Sequence, residues 1–269
     1  MLSFNNLASV GGRLPLNNNS RTKCNKGVFM GGFFGVASSS DCVNDLFFGT
    51  DYHSHLGTMR GGMATVNREG VKKFIHDITN SQFRSKFEHD VRKLHGSYGI
   101  GVISDYEDQP LIIGSHLGTY AICTVGKVAN LQALTDAAFR EGTTHFSEMS
   151  GGEVNPTEMV ATLINRASTF EEGIRQAQDA IEGSCSLLLL TSGGVYAARD
   201  RWGRTPVAIA EGGGRCAASL ETCAFPNLGL TKIRDLGPGE VVFFNEEGFE
   251  QRVPPREEMR VCSFLWVYY

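Results

Sequence analysis

The order of apolar patterns predicts an α+β fold built on antiparallel sheets. Short β-like segments group at the two ends of the 269-residue chain and three helical segments follow one another between them. The strands of the last third are separated by Gly-rich or Pro-Gly turns. At this length roughly 70–75% of the unfolded surface can be buried, enough for a substantial core.

Residues 33–37 (Phe33-Phe34-Gly35-Val36-Ala37) form an apolar run short enough for a buried strand. Asp41 then opens a stretch through Gly49 with apolar residues at helical spacing and the acid placed as a cap. Residues 61–66 and 99–104 read as strands separated by a helix over 81–94. Residues 110–114 and 120–125 read as a strand pair around the turn 115–119. Residues 131–141, 157–167 and 171–181 carry apolar side chains three and four apart with Thr or Glu near their starts, which predicts three helices over one sheet face. Strands at 186–191, 194–198, 206–210, 215–219 and 240–245 complete the pattern, punctuated by Ser192-Gly193-Gly194 and Gly237-Pro238-Gly239.

A hydrophobic content of 41%, a charged content of 20% and a formal net charge of −4 are ordinary for a soluble globular protein. Lys and Arg are scattered, so no nucleic-acid footprint is expected. The longest apolar run, residues 186–190, falls far short of the roughly 18 residues that cross a bilayer, so no membrane partner is expected. The seven cysteines form no C-x-x-C pair and read as buried thiols in a reducing cytoplasm. Residues 1–29 carry Arg13, Arg21, Lys23 and Lys26 with no acid before Asp41, and read as a leader or unstructured extension. They lack the apolar region of a signal peptide.

Several segments in fixed order carry a family resemblance: Gly32-Phe33-Phe34-Gly35-Val36, Arg60-Gly61-Gly62, Gly99-Ile100-Gly101, Gln109-Pro110, Thr157-Glu158, the stretch from Ala198-Arg199-Asp200 through Gly203 to Pro206, Ala218-Ser219-Leu220-Glu221 and Leu236-Gly237-Pro238-Gly239-Glu240. From Met30 onward the chain resembles the N-terminal glutaminase domain of the amidophosphoribosyltransferases, class II glutamine amidotransferases of the N-terminal-nucleophile hydrolase fold. The resemblance implies a four-layer αββα sandwich, two antiparallel sheets between helical layers, over residues 30–260. Residues 261–269 would begin the junction to a phosphoribosyltransferase domain expected downstream, which makes a truncated longer protein the expectation.

The family's chemistry uses an N-terminal cysteine thiolate against the glutamine amide, with an Asn side chain and a glycine N–H holding the oxyanion. Carried over by position, the nucleophile falls on Gly31, the Arg that grips the substrate carboxylate on Ser104, the oxyanion Asn on Val125 with Gly126 keeping its backbone N–H, and the Asp that holds the substrate amine on Pro156. Gly61, in the Arg60-Gly61-Gly62 turn, falls where the family uses a backbone carbonyl. Losing one oxyanion donor costs about 10²–10³ in rate and losing a nucleophile on the order of 10⁶, so no glutaminase activity is expected. Tyr120, Val125 and Pro156 are expected to make the pocket more apolar than one built for a zwitterion.

The parent reaction implied is formation of phosphoribosylamine from phosphoribosyl pyrophosphate and glutamine or ammonia, in cytoplasmic purine nucleotide synthesis. The expected partners are a small-molecule ligand, glutamine or a replacement, and further copies in a homo-oligomer. The family uses Mg and sometimes a [4Fe–4S] cluster. Cys262 matches one cluster ligand, but neither cofactor is expected in this chain. His53 and His55, two residues apart, are a weak metal candidate. Arg199 and Asp200 read as a turn cap or surface ion pair. The alternative is a non-catalytic binding or oligomerisation module with a remodelled pocket. A third reading is a hydrolase with a displaced thiol, Cys24 or Cys42.

Overall fold

The computed structural model describes residues 31–142, 146–147, 149–150 and 153–261. The extension 1–29 with Cys24, Met30, His145 and the closing run from Cys262 lie outside the described residues. In chain order the first half forms β1 (Gly31–Ser38), α1 (Val43–Asp51), β2 (Arg60–Asn67), β3 (Gly70–Asp77), α2 (Phe83–Val91), β4 (Tyr98–Ser104), β5 (Leu111–Ser115), β6 (Gly118–Val128) and α3 (Leu131–Arg140). The second half forms β7 (Met149–Ser150), β8 (Glu153–Val154), α4 (Pro156–Ile164), α5 (Phe170–Ala180), β9 (Gly183–Thr191), β10 (Gly194–Ala198), β11 (Ala208–Gly212), β12 (Arg215–Ser219), α6 (Ala224–Asn227), β13 (Thr231–Asp235), β14 (Val241–Asn245) and β15 (Gly248–Val253).

Two antiparallel sheets stack face to face. One has the order β13-β11-β12-β1-β4-β2-β3 and the other β15-β14-β10-β9-β6-β5. Alternation along the strands divides the apolar side chains between layers. Phe33 and Ala37 of β1, Leu188 and Leu190 of β9 and Phe244 of β14 fill the space between the sheets. Phe34 and Val36 turn the other way, to Leu46 of α1, Phe83 and Phe87 of α2 and Phe225 of α6. Leu187 and Leu189 meet α4 and α5 through Val160, Ile164 and Ile174. The result is the αββα sandwich that the resemblance implied.

The contact between α1 and its sheet is made at backbone level. A methyl on Gly49 would overlap the ring of Phe34, and one on Gly101 of β4 would overlap the Thr50 hydroxyl. Glycine at both positions lets the helix sit directly on the strands.

The sequence pattern missed β3, β13 and β15. All three are edge strands, and their side chains carry little burial: every residue of β13 is exposed, and β3 and β15 are at most half-buried. Backbone pairing with an inner neighbour makes them strands, and hydropathy does not record that. The short hairpin β7–β8 and the four-residue α6 were missed as well.

Candidate functional site

β4 lies between β1 and β2, and its last residue aligns three strand ends: Ser104 pairs with Gly31 on one side and with Arg60 on the other. Phe33 on β1 and Ile100 and Val102 on β4 belong to the inter-sheet core, so by alternation Gly31 and Ser104 share the inner face of their sheet. Gly61 lies within β2, not in a turn, and faces outward. A Cβ there would meet Phe83 of α2 at 2.9 Å. A Cβ at Gly31 would lie 2.7 Å from the carbonyl oxygen of Ile103, closer than side chains pack in folded proteins.

Ser104 Oγ accepts the backbone N–H groups of Tyr106 and Glu107, each at 3.2 Å, and so turns the chain into the loop 105–109. The loop is pinned from outside. Asp105 Oδ1 accepts the Thr58 N–H at 2.6 Å, and Asp108 pairs with Arg60 at 2.8 Å while Arg60 also reaches Asp77 at 2.5 Å.

Glu107 turns inward and is only 8% exposed. Its Oε1 accepts Gln109 Nε2–H at 3.0 Å and its Oε2 accepts the Thr157 N–H at 3.1 Å. Gln109 in turn clamps Thr124 of β6, accepting its N–H at 2.6 Å and donating to its carbonyl at 3.2 Å. The hydroxyls of Thr124 and Thr157 share a hydrogen bond of 2.6 Å. The loop ends at a cis Gln109–Pro110 peptide, and a methyl on Gly62 would overlap the Gln109 carbonyl oxygen. Burial raises the Glu107 carboxyl from an ordinary 4.5 to about 7, although the Thr157 N–H and hydroxyl draw it back.

Val125 points away from Thr124 into the inter-sheet core beside Phe33. Gly126 takes a positive φ of 136°, and a side chain there would overlap the Ser184 carbonyl of β9. Pro156 is the first residue of α4. The Asn155 side chain caps that helix, accepting the N–H groups of Thr157 at 2.8 Å and Glu158 at 3.3 Å. Tyr120 occupies the helix-facing side of β6, where its hydroxyl donates to Asn165 at 3.0 Å.

The expected apolar pocket of Tyr120, Val125 and Pro156 is therefore not assembled, because Tyr120 and Val125 face opposite sides of one strand. A buried polar chain, Glu107 to Gln109 to Thr124 with Thr157, joins the Ser104 strand end to the start of α4 instead. Sequence reasoning missed Glu107, since Asp105-Tyr106-Glu107-Asp108 reads as a solvated acidic loop. The only signal nearby was the Gln109-Pro110 segment.

His53 and His55 do not join. His53 is fully buried, with Nδ1 on the Gly49 carbonyl at 2.9 Å and Nε2 facing Ser219 Oγ at 3.1 Å, and burial lowers its pKa from 6.5 to about 4. His55 pairs with Glu221 at 3.1 Å near the surface. Among the described residues no three His, Cys, Asp or Glu side chains could hold a metal ion, and Cys262 lies outside them. Cys42, Cys123, Cys185 and Cys216 are buried free thiols, whereas Cys223 is exposed.

Arg199 and Asp200 cap turns and form no surface pair. Both are buried. The Arg199 guanidinium donates to the carbonyls of Thr205, Gly203 and Leu236, and Asp200 accepts the N–H groups of Trp202 and Thr205.

A family profile described as "Glutamine amidotransferase domain" matches residues 87–225. The amidophosphoribosyltransferase of Bacillus subtilis (strain 168) is 24% identical over 248 residues, covering 88% of this chain and 51% of that protein. That of Synechocystis is 26% identical over 251 residues, covering 88% and 50%. The chain thus spans about half the length of the curated relatives it matches. Among solved structures, the B. subtilis glutamine phosphoribosylpyrophosphate amidotransferase complexed with ADP and GMP superposes with a TM-score of 0.77 at 23% identity, covering 88% of this chain and 52% of that one, a likeness of fold. No helix among the described residues is long and apolar enough to cross a membrane.

Proposed function

Because the chain belongs to the glutamine amidotransferase domain family, we propose that it is the amidotransferase-type domain of an amidophosphoribosyltransferase-like protein of purine nucleotide synthesis, one that has lost glutamine hydrolysis. The observation that carries this reading is the strand end at Gly31. By the resemblance this residue stands where the nucleophile is needed, yet it has no side chain, and the Ile103 carbonyl occupies the space a Cβ would enter. Its cross-strand neighbour Ser104 spends its hydroxyl on two loop N–H groups, and Pro156 has neither a carboxylate nor an N–H to offer a substrate amine.

In this reading the whole protein transfers nitrogen from free ammonia or another donor, through a phosphoribosyltransferase domain that also supplies any Mg site. The test is ammonia release from glutamine by the purified chain, with the Gly31→Cys variant beside it. Neither should turn over glutamine. Thiol-sensitive release by the unaltered chain would overturn the reading, and release by Gly31→Cys alone would show that a single substitution separates this site from activity. Calorimetric titration with glutamine addresses the alternative of a non-catalytic binding or oligomerisation module with a remodelled pocket, against which a measurable affinity for glutamine would count.

A further inference from the structure

The carboxylate of Glu107 is better held than the fold alone requires. Helix α4 already has its cap, since Asn155 Oδ1 accepts the Thr157 and Glu158 N–H groups at 2.8 and 3.3 Å. Glu107 Oε2 approaches the same Thr157 N–H at 3.1 Å, from a different element. Its other oxygen receives Gln109 Nε2–H at 3.0 Å, and Gln109 is fixed from both ends of its amide by the backbone of Thr124. Donors from a helix start and from a clamped side-chain amide thus converge on a carboxyl group inside the protein.

The position of this carboxylate carries the inference. Glu107 donates its own N–H to Ser104 Oγ, places its carboxylate on the residue after Pro156, and is tied through Gln109 to the residue before Val125. It therefore touches Ser104 and, itself or through Gln109, the chain neighbours of Pro156 and Val125, positions that the function proposed above assigns to a former substrate site.

We infer that Glu107 is an internal ligand: its side chain occupies a built seat for a small monocarboxylate, and the site opens to such an acid only when that side chain is withdrawn. The inference rests on the reading of this site as a former glutaminase pocket. The outer pins, Asp105 on Thr58 and Asp108 on Arg60, hold the loop so that the side chain is delivered inward.

Glu107→Ala in the full chain removes two carbons and two oxygens, the heavy atoms of acetate. Thermal unfolding is followed in sodium acetate and in sodium chloride at matched ionic strength, at a mildly acidic pH where acetic acid and acetate are both present. Acetate well above its dissociation constant should raise the midpoint of Glu107→Ala by at least about 2–4 °C, and should leave the unaltered protein and the isosteric Glu107→Gln unmoved. Glycine, which brings an ammonium group that Pro156 cannot pair, should act more weakly than acetate. An equal shift in all three proteins, or none in Glu107→Ala, refutes the inference.

Should Glu107→Ala be recovered unfolded, it is refolded in the two salts. Folding restored by acetate alone supports the seat, and failure in both refutes it by making Glu107 a plain structural residue. Ammonia release from glutamine by the unaltered protein would overturn the proposed loss of chemistry without deciding the acetate result, so the two failures are separable.

Discussion

Replacing Glu107 with glutamine should tilt the pH dependence of folding between pH 4.5 and 7. The carboxyl is raised by burial from 4.5 to about 7, so in that window the folded state holds a proton that the unfolded chain has released. Stability contributed by the protonated group is fully present below pH 4.5 and is lost as pH rises through 7. A difference of about 2.5 pH units at about 1.36 kcal/mol each amounts to roughly 3 kcal/mol. His53 works in the opposite sense. Its pKa is lowered from 6.5 to about 4, so its neutral form stabilises the fold above pH 6.5 and that contribution is lost as pH falls through 4.

The two buried groups therefore nearly cancel, and the unaltered protein should show little slope from them. Glu107→Gln removes one side of the balance and should gain about 3 kcal/mol relative to the unaltered protein on going from pH 4.5 to pH 7.5. The glutamine Nε2 faces the Nε2 of Gln109, a donor against a donor, so its absolute stability is offset by about 1 kcal/mol at every pH. The measurement is accordingly the change in the difference, from urea unfolding of both proteins across the window. Parallel curves would show that Glu107 stays ionised in the fold and would refute the reasoning.

Gly31→Cys should remain without glutaminase activity and lose about 1–3 kcal/mol in urea unfolding, since its Cβ must displace the Ile103 carbonyl. Gly62→Ala drives a methyl into the Gln109 carbonyl and should cost more than about 3 kcal/mol, with faster hydrogen exchange at the Thr124 amide that Gln109 protects. Arg199→Lys replaces a planar fork with a point charge and leaves carbonyls among Thr205, Gly203 and Leu236 without a donor, for a loss of about 2–4 kcal/mol read from the urea midpoint.

Legibility in the sequence followed burial. Phe33 to Ala37 and Leu187 to Leu190 are strands buried on both faces, and their apolar runs announced them. The start of α4 was read one residue late, from Thr157 and Glu158, and the three helices came within a few residues of their bounds. β13 gave no signal because its five residues are all exposed, and it is held by backbone pairing and by the Arg234–Glu240 ion pair. At the candidate site the strand-end positions Gly31 and Ser104 could be placed by resemblance, but their filling could not. Whether the acid at 107 enters the protein or faces water depends on Thr157, 50 residues away, and on Gln109, which Thr124 holds in place. Periodicity has no access to such contacts. The same limit explains Tyr120 and Val125, which were grouped by chemistry although an odd separation along one strand sends them to opposite faces.

The seating of α1 on Gly49 and Gly101 bears on how such a chain could change its chemistry. Contacts made by the absence of side chains impose no requirement on the residues at the strand ends, where Gly31 and Ser104 lie. The two glycines therefore belong to the scaffold, whatever chemistry the strand ends carry. A single methyl beneath the helix would be rejected whatever residues stand at the candidate site. Random mutagenesis scored only for soluble expression should accordingly purge variation at 49 and 101.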